Sequence, residues 1–221
     1  MGTNVAVLKA ASGGPPGTLL VDGIATGGGS TAASFTITLS TTKTNDAIIL
    51  AIEANGSHPT SISSSNVTWA VAARVGSGTG NDIYEWYGIA ASALTSEVIA
   101  ITMSGSAFCS GTALAINGCD VSSVPGSLFD GNGSLPAIGN SGTPSGISTD
   151  SSATLVFGLM RGNGDGSPPA GYTDAASPNR ATVFMAFDYQ IFSGTQSSIG
   201  IADTMTGING WIGDAVKASG T

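Results

Sequence analysis

Ser34–Ser40, SFTITLS, decides the class of this chain: Phe35, Ile37 and Leu39 fall on one side of an extended backbone and Thr36, Thr38 and Ser40 on the other. Val67–Arg74, VTWAVAAR, repeats the pattern, with Val67, Trp69, Val71 and Ala73 set against Thr68, Ala70, Ala72 and Arg74. A period of two with one apolar face describes strands of an antiparallel sheet whose other face meets solvent. Outward from these two stretches the same signature recurs in Leu19–Ala25, Ala47–Ala54, Asp82–Ile89, Glu97–Met103, Thr112–Gly118, Ala153–Met160, Ala181–Phe192, Ser197–Asp203 and Gly210–Lys217. Asn55-Gly56, Ser104-Gly105, Asn163-Gly164 and Ser193-Gly194 read as turns between them. Only Ala90–Glu97 has room for a helical turn. About eleven strands without a helix predict an all-β fold, a single antiparallel β-sandwich of jelly-roll-like type.

Two regions break the rhythm. Residues 1–18, ending in GGPPGT, read as an extended N-terminal arm ahead of a sandwich domain over residues 19–221. Residues 121–152 form a Gly-, Ser- and Pro-rich loop, too long for an idle connection. Arm and loop are the candidate interaction segments, with Val5, Val7 and Leu8 as the arm's apolar contacts.

Composition limits the partners. Only 9% of the 221 residues are charged, 33 are glycine, and 14 acidic against 6 basic side chains leave a net charge of −8. The basic residues Lys9, Lys43, Arg74, Arg161, Arg180 and Lys217 are scattered. Nucleic acid and anionic membranes need them clustered, so neither is an expected partner. A hydrophobic share of 41% fits a packed core, not a disordered chain. The longest apolar run, in Asp46–Asn55, is interrupted by Glu53 and falls short of the ~18 residues of a membrane span. The first residues also lack a basic segment followed by an apolar one, so either a signal has been removed or the protein is expected to leave its cell by lysis or within a particle. Cys109 and Cys119 bracket a strand that would hold them roughly 33 Å apart, against the about 4.4–6.8 Å a disulfide needs between Cα atoms. Two free, buried thiols are expected, a bridge to another subunit being the alternative.

The segment order NDAIILAI, VTWA, IYEWYGIAAS, VIAITMSGSAFCSGTALAINGCDVSS and GWIGDAVKAS resembles a recurrent jelly-roll-like β-sandwich domain of phage structural proteins and bacterial surface proteins. The resemblance spans about Leu19 to Ser219. It implies a non-enzymatic component of a virion or surface, such as a capsid decoration protein, a head spike or fibre, or a tail appendage. Its partners would be other virion proteins and copies of itself in a homo-oligomer, a trimer among the options. The alternative is a carbohydrate-binding or adhesive module that recognises a host surface glycan.

Candidate chemistry is sparse. His58, the sole histidine, sits in the turn NGSHPT, where a general base would be poorly oriented, and no nucleophile-elbow motif is present. One histidine and two distant cysteines cannot complete a zinc site. Glu53, Glu85 and Asp188 lie inside strands, where neighbouring strands could bring two carboxylates together; otherwise each points outward from a half-buried strand. Alternation in IYEWY puts Tyr84 and Trp86 on one face and Tyr87 on the other, making Trp86 the candidate glycan contact. Asp130–Ser134 and Gly162–Ser167 carry oxygen ligands but lack the distal Glu of a calcium loop. The sequence therefore gives no catalytic residue, cofactor or metal ligand, and predicts a virion or extracellular location.

Overall fold

The computed structural model describes residues 17–76, 81–121, 127–175 and 184–221. Within them the chain is all-β, with eleven strands and no helix. β1 (Leu20–Leu39), β2 (Asp46–Asn55), β3 (Pro59–Ser63), β4 (Val67–Gly76), β5 (Asn81–Ala90) and β6 (Glu97–Asn117) build one sheet of order β1-β6-β2-β5-β4, with β3 also paired to β6. β7 (Ala137–Gly139), β8 (Thr154–Gly162), β9 (Thr173–Asp174), β10 (Phe184–Phe192) and β11 (Gly210–Lys217) build the second, in the order β7-β11-β8-β10-β9. All pairings are antiparallel.

β1 and β6 each join two of the predicted strands into one. Ser104-Gly105, read as a turn, lies inside β6. The register jumps between Ala32 and Ser34, where the partner passes from Ala107 to Thr102, and there the β1/β6 ribbon folds back over itself. Glycine permits the fold: a Cβ on Gly27 would strike the carbonyl oxygen of Thr36, and one on Gly23 that of Ser40. The folded-back half carries Ile37, Leu39, Ile99 and Ile101 onto Ile48, Leu50, Ile52 and Tyr84, so the outer face of the first sheet has its own apolar core. The inner face packs on the second sheet through Ile49, Ile83, Leu114, Leu155, Phe157, Phe187 and Ile212. A third cluster, with Ile147, Met160, Ile201 and Trp211, lies beyond the second sheet under its loops.

This layering corrects the expectation of half-buried strands. β2 is buried at every position but its last, and β8 at every position, because both faces of each are covered. Period two survives as a division between two cores instead of between core and water. Ser197–Asp203 forms no strand; it pairs with the long loop through an Ile199–Ile147 bridge and packs Ile201 on the second sheet. Ala90–Glu97 makes bends without a helical turn. The segment 121–152 contains β7 and buries Leu128 and Ile147, so much of it is cover for the sheets. Cys109 and Cys119 are free and buried, as expected.

Candidate functional site

Inward-facing positions of β2 are Ala47, Ile49 and Ala51, and the next in that series is Glu53. Its carboxylate is fully buried and meets Arg161 from β8 across the gap, Oε2 to Nε at 3.5 Å. Ser110, directly opposite on β6, donates its hydroxyl to Oε1 at 2.7 Å, and Arg161 Nη1 donates to Asn209 Oδ1 at 2.9 Å. Burial pushes Glu53 up to about 7 against the opposing pull of Ser110 and Arg161. Burial likewise lowers Arg161, with Glu53 and Asp82 resisting. The pair clamps one sheet to the other.

A second acidic pair occupies the same layer, with no cation paired to it among the described residues. Glu85 follows Ile83 and precedes Tyr87 on the inner face of β5, and is fully buried. Asp214 lies between Ile212 and Val216 on the inner face of β11. Burial, then the charge of Asp214, pushes Glu85 well above the carboxylate range. Asp214 is pushed up to about 7, chiefly by burial, against the amide of Ala215, which donates to Oδ1 at 2.7 Å; the charge of Asp130 adds to the rise. Neither oxygen of Glu85 has a hydrogen-bond partner among the described residues. At neutral pH the pair therefore retains at least one proton.

Above Asp214 opens a cleft of about 290 Å³, lined by Val71 and Ala72 of β4, Tyr87 of β5, and Phe129, Asp130, Leu135 and Pro136 of the long loop. The rings of Tyr87 and Phe129 meet edge to face, 5.5 Å apart at 84°. Asp130 ties the loop together: Oδ1 accepts the amides of Asn132 (3.0 Å) and Asp150 (2.9 Å), and Oδ2 that of Ser151 (2.9 Å). Burial works to raise Asp130, but these bonds outweigh it and keep it ionised below its usual range.

The other expected residues fall as follows. Val5, Val7 and Leu8 lie outside the described residues. Trp86 is half-buried and packs with Tyr84 against the outer core, while Tyr87 faces the inner one, as alternation required. His58 is exposed in its turn. Glu53, Glu85 and Asp188 are all fully buried, which overturns the reading that each points outward. Apolar clusters cover both faces of β2, β5 and β10 at these positions. Asp188 faces away from the inner core beside Tyr172, whose hydroxyl burial and the Asp188 charge push up to about 12. Asp130 spends its oxygens on loop amides, and no group of three or more His, Cys, Asp or Glu is placed to hold a metal among the described residues.

Asp214 is the residue that sequence reasoning missed. Its signal was present: in GWIGDAVK it alternates with Ile212 and Val216, so an acid sits on the apolar side of its own strand. No protein-family model, curated protein or solved structure matches the chain.

Proposed function

We propose that this chain is a non-enzymatic structural subunit of a phage virion, a capsid decoration protein, head spike or fibre, or tail appendage, that works through protein contacts. The observation that carries the reading is the stacking of three apolar clusters through the described body. It supports a stiff block in which strand pairing and burial leave little to rearrange. The displaced carboxyls lie inside this packing, and Glu85, which a two-carboxylate mechanism would need at a substrate, is sealed from solvent. Large apolar side chains surface instead on separate strands: Ile24 on β1, Val71 on β4, Val98 on β6, Ile138 on β7 and Ile191 on β10. Those on the outer strands β1, β4 and β7 suit edge contacts with neighbouring copies and other virion proteins. The jelly-roll-like detail, the homo-oligomer and the location on a virion or extracellular surface belong to the same proposal.

Truncation before Gly17 tests it. Gly17 donates its amide to the carbonyl of Ser219 at 2.8 Å, so a chain starting there keeps its first anchor to the sheets. The truncated protein is expected to fold with an unchanged β-rich circular dichroism spectrum and to fail to enter particles. Normal incorporation would contradict the arm's role, and absence of the full chain from purified particles would contradict the proposal as a whole.

A further inference from the structure

The cleft beside Asp214 combines three properties that packing alone does not demand. Its walls are largely apolar, through Val71, Ala72, Leu135 and Pro136. Its deep polar group is Asp214, only 4% exposed, whose Oδ1 accepts the Ala215 amide. Behind it stands Glu85, fully buried, with neither oxygen bonded. A buried carboxyl without donors is costly, and native structures seldom leave one. Arg161, the buried cation of this layer, is engaged by Glu53. In the sheet it pairs with Gly210, four residues along β11 from Asp214. Asp130 adds negative potential at the cleft while its own oxygens stay on loop amides.

Among the described residues no cation reaches this pair, and a positively charged donor entering past hydrocarbon would take the place of the proton the two acids retain. A metal ion fits poorly, since no group of three or more ligating side chains is available among the described residues. A sugar ring fits poorly too, because Tyr87 is buried edge-on against Phe129 and offers no open platform. A long basic side chain matches both requirements: its methylenes lie along apolar walls while its head reaches the acid. The mouth favours a side chain presented by a protein over a free amine. Val71 at the cleft is 43% exposed, apolar surface that a larger partner would cover.

We infer that the cleft is a socket for a lysine or arginine side chain of a partner protein, whose cationic head pairs with Asp214 in front of Glu85. This inference stands on the cleft itself and holds or fails independently of the virion reading. The test is titration of the isotopically labelled full chain at neutral pH with N-acetyl-lysine methylamide, N-acetyl-arginine methylamide, the uncharged norleucine analogue, butylammonium and neutral monosaccharides, followed by amide chemical shifts. One of the two basic derivatives is expected to shift Val71, Ala72, Tyr87, Phe129 and Asp214 with millimolar affinity, and to bind more tightly than butylammonium. Binding should release protons, as Asp214 ionises beside the cation. Asp214→Asn should weaken it by about tenfold or more, and Glu85→Gln by less, both variants keeping the native spectrum elsewhere. The inference is overturned if neither basic derivative shifts these amides, if norleucine or a sugar binds as well as they do, or if Asp214→Asn binds them normally.

Discussion

Two pairs of buried charges bridge the sheets, and they are built on opposite terms. Glu53 meets Arg161 and accepts a hydroxyl from Ser110, so its charge is answered on two sides. Glu85 meets another acid, and neither of its oxygens is answered. Both are fully buried glutamates on the inner face of one sheet, and the register sets Glu53 opposite Ile83 and Ala51 opposite Glu85. Depth alone therefore does not decide what a buried carboxylate does; the group facing it does. The answered pair holds layers together, and the unanswered pair stays protonated, at a cost that grows as the solution becomes more basic.

Breaking the answered pair is expected to have the largest effect. Arg161→Met leaves Glu53 ionisable in an apolar layer with only Ser110 beside it, a loss of about 3–5 kcal/mol in denaturant unfolding. Adding Glu53→Gln to that variant should recover most of the loss. Equal stability of the single and double variants would show that Arg161 acts through packing and not through charge.

Solution pH separates the two terms next. Glu53 has an unfolded value of 4.5 and a folded one of about 7, and Asp214 moves from 3.8 to about 7. For a raised acid the stabilising proton is fully present below the unfolded value and is lost as pH rises through the folded value. Asp22, Glu97 and Asp130 are lowered, so they act in the opposite sense and lose their contribution on acidification below their unfolded values. Stability should peak in mild acid and fall by several kcal/mol by about pH 8, within the ceilings of roughly 3 and roughly 4 kcal/mol that the Glu53 and Asp214 shifts set. A stability that rises steadily from about pH 5 to 8 would contradict the placement of these acids.

Removing the unanswered charge gives a smaller change of opposite sign. Asp214→Asn should gain about 2 kcal/mol more at about pH 8 than at about pH 5, flattening the profile. A loss at both values would mean that Asp214 has a stabilising partner. An exposed acid sets the lower end of the scale. Asp22 accepts from the amides of Thr42 and Lys43 and from the Thr42 hydroxyl, at 2.6–2.8 Å. Asp22→Ala should cost about 1 kcal/mol, and its salt sensitivity should exceed that of either buried pair.

Much of this arrangement is legible in the chain. Alternation located most strands and separated Tyr84 and Trp86 from Tyr87, because a two-residue period divides any strand between two faces. It could not say that both faces would be covered. That depends on the β1/β6 ribbon doubling over at Ala32–Ser34, where glycines and a register jump carry a signal identical to that of an ordinary turn. The same gap hid the acids: Glu53, Glu85 and Asp188 were recognised as unusual within strands, but without the outer layers an outward direction was the simpler reading. Asp214 stood on an apolar face in its own octapeptide and could have been found. What no local pattern holds is its facing partner, since Glu85 and Asp214 are brought together only by the packing of β11 on β5.

The most direct test of the contrast between answered and unanswered charge is a side-chain carboxyl titration by carbon-detected NMR on the full chain. Asp214 is expected to titrate near 7 and Glu85 well above 4.5, while Asp130, held by three amides, stays below 3.8. Asp214 and Glu85 both titrating in the ordinary range around 4 would contradict the account, because two acids facing each other in a dry layer cannot both ionise there.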